Sequence, residues 1–215
     1  GNNMITKSIL EKICRPRNKE AHKGDFGRLL VIGGSEIYTG APTLVALAAY
    51  KSGIDLVTVA APKRAADVVA KFLPDIITIP LNGASVAANH LKMLLKLAEK
   101  SDAVVIGNGL GKNRKTMKAV ALYLKKIKKP TVIAADAIYT VAKYKIKPKI
   151  KNCFILTPHL GEFFVLTGRK PKKIADKKIE IIKAAKKYDS VILLKGHLDL
   201  ISDGTRLAFN KTGNP

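Results

Sequence analysis

Short apolar runs alternate with longer segments of helical period along almost the whole chain. The runs at 28–32, 55–60, 75–79, 102–106, 131–135, 153–156 and 190–194 are mostly continuous, as strands buried on both faces require. Helical spacing fills 41–52, 63–72, 84–100, 112–128 and 172–188. In the fourth of these, Met117, Val120, Ala121 and Leu124 recur on one face, with Ile127 in register. Lys115, Lys118, Lys125 and Lys126 fill the other face, so the segment is an amphipathic surface helix. Such alternation predicts a mainly parallel sheet with helices on both sides. Residues 198–202 and 206–209, joined around Asp203-Gly204, read as a closing hairpin. No repeat, linker or low-complexity tract interrupts the pattern. Residues 1–215 therefore read as one domain, with the lysine-rich 143–151 as a loop.

Composition narrows the class. Apolar residues make up 47% and Trp is absent, so the core is expected to be aliphatic. The apolar stretches are too short to cross a bilayer, and no amino-terminal segment has signal-peptide order. Cys14 and Cys153 lie far apart without metal spacing and read as reduced thiols of a cytoplasmic protein. The net charge of +23 suits anionic partners. The lysines, however, are dispersed along helices as solvated faces are, and aromatics are only 6%. Nucleic-acid modules interleave more aromatics among their basic residues. Nucleic acid is thus not the expected main partner, and a phosphate-bearing small substrate explains the charge equally well.

In an open parallel sheet, ligands bind beyond the carboxyl ends of the strands. Polar and glycine-rich groups fall there five times. They are Gly33-Gly34-Ser35, Gly107-Asn108-Gly109-Leu110-Gly111, Asp136, Thr157-Pro158-His159 and Lys195-Gly196. Gly40-Ala41-Pro42 opens a helix with small residues and a proline, leaving free N–H groups for an anion or serving as plain punctuation. The Gly107–Gly111 run resembles a dinucleotide fingerprint only loosely, and no G-x-x-x-x-G-K-[ST] loop occurs. Glu162 is expected to cap a short helix, and His159 to contact a ligand. Lys195, at the end of a buried strand, is costly unless it emerges at a site, where phosphate is the natural contact. His22 and Lys23, before the first strand, could also reach an anion or belong to a plain basic loop. His90, on a helix candidate, receives no role.

Together the segments HKGDFGRLLVIGGS, YTGAP, SDAVVIGNGLG, LTPHLGEF, VILLKG and NKTGNP resemble the ADP/ATP-dependent NAD(P)H-hydrate dehydratases. The likeness runs from about Arg17 to Pro215. It implies a ribokinase-like three-layer α/β sandwich with its C-terminal part missing, an incomplete domain over 1–215. It implies repair of NADHX or NADPHX, whose hydroxyl is phosphorylated from ADP or ATP before phosphate leaves. By motif, Ala41, Gly109, Gly111 and His159 would line the hydrate site. Lys195, Gly196, His197, Leu198 and Asp199 would lie along the nucleotide. The family uses Mg²⁺, but no residue here is assigned as its ligand.

Two departures stand out. The Asp-Ala-Asp-Ala usual after the fifth strand reads Ala134-Ala135-Asp136-Ala137 here. Relatives also continue into a Gly-Thr-Gly-Asp segment that supplies the catalytic aspartate, so none is assigned before Pro215 and the chain alone is expected to be inactive. A homotetramer is implied, with a separate C-terminal fragment as a further partner. The alternatives are a ribokinase-like kinase for a small alcohol or vitamin precursor, and a basic non-catalytic nucleotide or nucleic-acid binder.

Overall fold

The fold is taken from a computed structural model, which describes residues 4–14, 20 and 22–212. Arg17, Gly1 to Asn3 and the final Gly213-Asn214-Pro215 of the closing motif lie outside the described residues. Among the described residues, nine strands form one sheet in the order β3-β2-β1-β4-β5-β6-β7-β8-β9. They are β1 Arg28–Ile32, β2 Leu56–Pro62, β3 Ile77–Leu81, β4 Ala103–Ile106, β5 Thr131–Ile133, β6 Phe154–Leu156, β7 Val191–Leu194, β8 Asp199–Ser202 and β9 Leu207–Asn210. β1 to β7 are parallel, while β7–β8 and β8–β9 pair antiparallel.

The helices are α1 Lys7–Ile13, α2 Ala41–Lys51, α3 Lys63–Phe72, α4 Leu91–Glu99, α5 Arg114–Lys126, α6 Asp136–Tyr144, α7 Leu160–Thr167 and α8 Ile174–Tyr188. Strand alternation splits the apolar residues between two cores. Leu29 and Val31 of β1, with Val57 and Val59 of β2, meet Ala46 and Ala49 of α2 and Ala65 and Val69 of α3. Leu30 and Ile32 face the opposite way. Their core also takes in Val120 and Leu124 of α5, Ile138 of α6, Phe163 of α7 and Ile181 of α8. Helices therefore cover both faces, as the alternation predicts.

Several expected elements shift at their ends, three of them for a local reason. The 84–100 helix begins only at Leu91, after a 3-10 turn at Ala88–His90. His90 fixes that turn, since its Nδ1 accepts from the Ala87 N–H at 3.1 Å and its Nε2 lies 2.9 Å from the Asn82 carbonyl. Its role is to organise a loop. The third strand falls later than 75–79, at Ile77–Leu81, and takes in Pro80. A proline is tolerated there because β3 ends the sheet, where an edge strand can spare an N–H. The fifth strand stops at Ile133 instead of running to residue 135, and α6 begins at Asp136. The apolar stripe of α6 runs straight on from that of β5, so periodicity alone did not separate them.

Tyr123 of α5 is a buried exception to the aliphatic core. Its hydroxyl has no hydrogen-bond partner among the described residues. Burial holds it protonated, well above the ordinary 10.0. An unpaired buried hydroxyl costs about 1–3 kcal/mol. Tyr123→Phe is therefore expected to stabilise by about 1 kcal/mol, raising Tm by roughly 2–4 °C. Thermal unfolding checks this; a lower Tm for the variant would contradict it.

Candidate functional site

Because β1 connects toward β2 and β4 lies on its other side, the strand order reverses between β1 and β4. The loops leaving these two strands diverge and open a crevice at the carboxyl edge. Glycines line it because the backbones pass too close for side chains. The Gly34 N–H donates to the Asn108 carbonyl at 2.8 Å. A Cβ on Gly33 would lie 2.5 Å from that same oxygen. Gly107 has φ +135°, and a Cβ there would run into the Ala134 carbonyl oxygen.

The neighbouring loops are stitched to this pair in strand order. Gly111 N–H donates to Asp136 Oδ2 at 2.8 Å, tying the β4 loop to the first turn of α6. Thr157 N–H donates to the Ile133 carbonyl at 3.1 Å, and Lys195 N–H to the Pro158 carbonyl at 2.9 Å. All five expected strand ends are thus held along one edge. Ala135, between β5 and α6, has φ +47° and ψ −124°, a conformation costly for a residue with a side chain. That strain sits beside the crevice glycines.

The structure brings Ala41, Gly109 and Gly111 together. A Cβ on Gly109 would lie 3.1 Å from the Ala41 Cβ and 3.1 Å from the Tyr38 Cβ. Ala41 is the first residue of α2, whose N-terminus has no side-chain cap and no acidic residue in its first turn. A cavity of about 320 Å³ adjoins them, lined by Ser35, Tyr38, Ala84, Gly111, Lys112 and Asn113. Lys112 holds its ammonium 4.2 Å from the centre of the Tyr139 ring. Sequence reasoning passed over Tyr38 and Lys112; a basic residue directly after the last glycine of the run was the available signal.

His159 and the 195–199 segment stand farther along the edge, at β6 and β7. His159 serves as the N-cap of α7, its Nδ1 accepting from Gly161 N–H at 3.0 Å and Glu162 N–H at 3.2 Å. Glu162 Oε2 in return accepts the His159 N–H at 3.0 Å, as expected of a capping residue. The ring's Nε2 is left on the exposed side, 3.5 Å from Glu162 Oε1. Lys195, Gly196 and His197 are exposed, while Leu198 and Asp199 are half-buried. Asp199 closes the turn, accepting from Gly196 N–H at 3.1 Å and Asn210 Nδ2 at 3.3 Å.

His22 and Lys23 belong elsewhere. Their loop precedes β1, and its Phe26 N–H donates to Asp55, which precedes β2. This is the amino edge of the sheet, a strand's length from the glycines, so neither residue joins the crevice. A larger cleft of about 810 Å³ lies at the β8–β9 hairpin beside Met4 and Ile9, also away from the glycines.

The NAD(P)H-hydrate dehydratase family profile matches residues 29–215, and the chain belongs to that family. Its fold is ribokinase-like. It is 41% identical over 202 residues to the bifunctional NAD(P)H-hydrate repair enzyme Nnr of Pyrobaculum aerophilum, covering 93% of this chain and 40% of that protein. It is 34% identical over 215 residues to the ADP-dependent (S)-NAD(P)H-hydrate dehydratase of Cenarchaeum symbiosum, covering 99% of this chain and 74% of that one. The Bacillus subtilis ADP/ATP-dependent NAD(P)H-hydrate dehydratase co-crystallised with ATP/Mg²⁺ superposes with TM-score 0.81 at 25% identity. That match covers 99% of this chain and 75% of that one. The chain thus spans about two fifths of the length of the bifunctional relatives it matches.

Proposed function

We propose that this chain forms the substrate- and nucleotide-binding body of an NAD(P)H-hydrate dehydratase. The observation that carries the reading is the stitched carboxyl edge, where five adjacent strands present glycine loops and polar groups in one row. The glycine crevice, with Ala41, Gly109 and Gly111, would take the hydrated dinucleotide, and His159 would contact it from β6. Lys195 to Asp199 would follow the phosphates and ribose of ADP or ATP. The relatives' names, ADP-dependent and ADP/ATP-dependent, support that nucleotide class.

In the reaction, the hydrate hydroxyl attacks the terminal phosphoryl group and AMP or ADP leaves. Phosphate then departs with the C–O bond electrons, the adjacent ring carbon gives up a proton to solvent, and its C–H electrons close the ring double bond of NADH or NADPH. Hydroxide is a poor leaving group and phosphate a good one. The chain's part is positioning and charge neutralisation; the base for the hydroxyl proton is assigned to no described residue. Among the described residues no three His, Cys, Asp or Glu side chains form a metal site. The described side chains thus offer no protein cage for Mg²⁺. No helix among the described residues is long and apolar enough to cross a membrane. The reading extends to a cytoplasmic homo-oligomer, the homotetramer implied by the family resemblance.

Nucleotide binding tests the reading. At a hundredfold excess over Kd, ADP or ATP is expected to stabilise the protein by about 2.7 kcal/mol, a Tm rise of roughly 5–10 °C. Lys195→Ala is expected to remove most of that rise. Absence of a shift with both nucleotides would reject it.

A further inference from the structure

The dispersed lysines of the sequence are gathered by the fold. Between 125 and 151 there are nine lysines, and the sole acidic residue is Asp136. Asp136 stands at the carboxyl edge, bonded to Gly111. The lysines lie at the end of α5, at the end of α6 and in the two loops leading into β5 and β6, all at the opposite, amino edge. β7 adds Lys186 and Lys187 from the last turn of α8.

These segments adjoin through contacts of backbone and side chain. Cys153 Sγ donates to the Lys128 carbonyl at 3.4 Å, and Thr131 N–H to the Cys153 carbonyl at 2.9 Å. Asn152 N–H donates to the Asp189 carbonyl at 2.8 Å. Lys147 Nζ pairs with Asp189 Oδ2 at 3.2 Å. The result is a continuous basic strip across the amino ends of three neighbouring strands. Lys125, Lys126, Lys128, Lys145, Lys149 and Lys151 are exposed on it.

Part of this charge has a local purpose. Lys125, Lys126, Lys143, Lys186 and Lys187 sit in last helical turns, where cations offset the helix dipole. Lys128, Lys129, Lys145, Lys147, Lys149 and Lys151 lie beyond the helices, and Asp189 offsets Lys147. Holding so many like charges together disfavours the compact state unless an anion neutralises them. Ile150 is the one large hydrophobic residue exposed among these described loops, and no exposed aromatic accompanies it there. The strip therefore suits a phosphate backbone, without base stacking or apolar insertion into a bilayer.

We infer that the amino edge at β5–β7 is a nucleic-acid-binding surface, sequence-independent and separate from the carboxyl-edge crevice. Fluorescence anisotropy with a labelled single-stranded oligonucleotide tests it, using the whole chain. The edge variant carries Lys125, Lys128, Lys149 and Lys151 each changed to Gln. The control carries Lys51, Lys71, Lys92 and Lys172 each changed to Gln, matching it in net charge and exposure. At low salt the edge variant is expected to bind at least tenfold more weakly, with its log–log salt slope reduced by about 3. The control is expected to change less than about threefold, and saturating ADP to compete with neither. Equal weakening of both variants, displacement by ADP, or binding to anionic vesicles in preference to the oligonucleotide would each overturn the inference. Circular dichroism and Tm confirm that the exposed substitutions leave the fold intact.

Discussion

Gly107→Ala is expected to cost at least about 3 kcal/mol, a Tm loss of roughly 6–12 °C or more. Two causes act together. The φ of +135° is one that residues with side chains rarely adopt. The new methyl would also collide with the Ala134 carbonyl oxygen, which belongs to the backbone and cannot swing away. Relief requires parting the β4 and β5 loops, whose extension of the ladder includes the 3.0 Å bond from Ala134 N–H to the Ile106 carbonyl. Gly111→Ala is the matched comparison. Its φ of +79° also favours glycine, but no atom lies within 4 Å of the added Cβ. That variant should lose only about 1–2 kcal/mol. Urea denaturation of the pair separates backbone preference from collision, and equal losses would show that the crevice is not closely packed at Gly107.

His159→Ala is expected to weaken hydrate binding at least tenfold and to destabilise by about 1 kcal/mol. The ring has two faces of use. Nδ1 accepts the Gly161 and Glu162 N–H groups, which leaves the proton of the neutral ring on Nε2. Nε2 is then a donor at an exposed position beside the carboxyl edge. His159→Asn tells the functions apart, because Asn is a good N-cap but lacks that distant donor. Its Tm should return close to the parent value while hydrate affinity stays low. Recovery of both would reduce His159 to a cap.

The strand ends were legible because buried parallel strands announce themselves as unbroken apolar runs, and the glycines after β1 and β4 mark where they stop. α3 begins and ends where periodicity placed it, at Lys63 and Phe72. α6 was hidden because apolar residues continue from β5 through Ala135, and only an unusual φ there turns strand into helix. The contrast between His22 and Lys195 has a similar origin. Both are basic residues beside apolar strands, but one precedes its strand and the other follows it, so a parallel sheet sends them to opposite edges. The crevice glycines were visible as residues, whereas their purpose became visible only once Gly33 met Asn108 and Gly107 met Ala134. Only the 143–151 part of the basic strip showed in linear order, since Lys128, Lys149 and Lys186 come together only through the β5-β6-β7 adjacency.

The reversal between β1 and β4 also governs how the chain can be assembled as it is made. β1, β2 and β3 can pair as soon as they emerge, with α2 and α3 laid over one face. The other edge of β1, Arg28–Ile32, must wait for its partner: the Arg28 N–H bonds to Asp102, 74 residues later. At cellular rates of synthesis that is a delay of roughly 4–15 s. Throughout it an apolar strand edge stands open to any other strand that can pair with it. The seam between β1 and β4, which becomes the crevice, is in the nascent protein an open strand edge for a chaperone to shield.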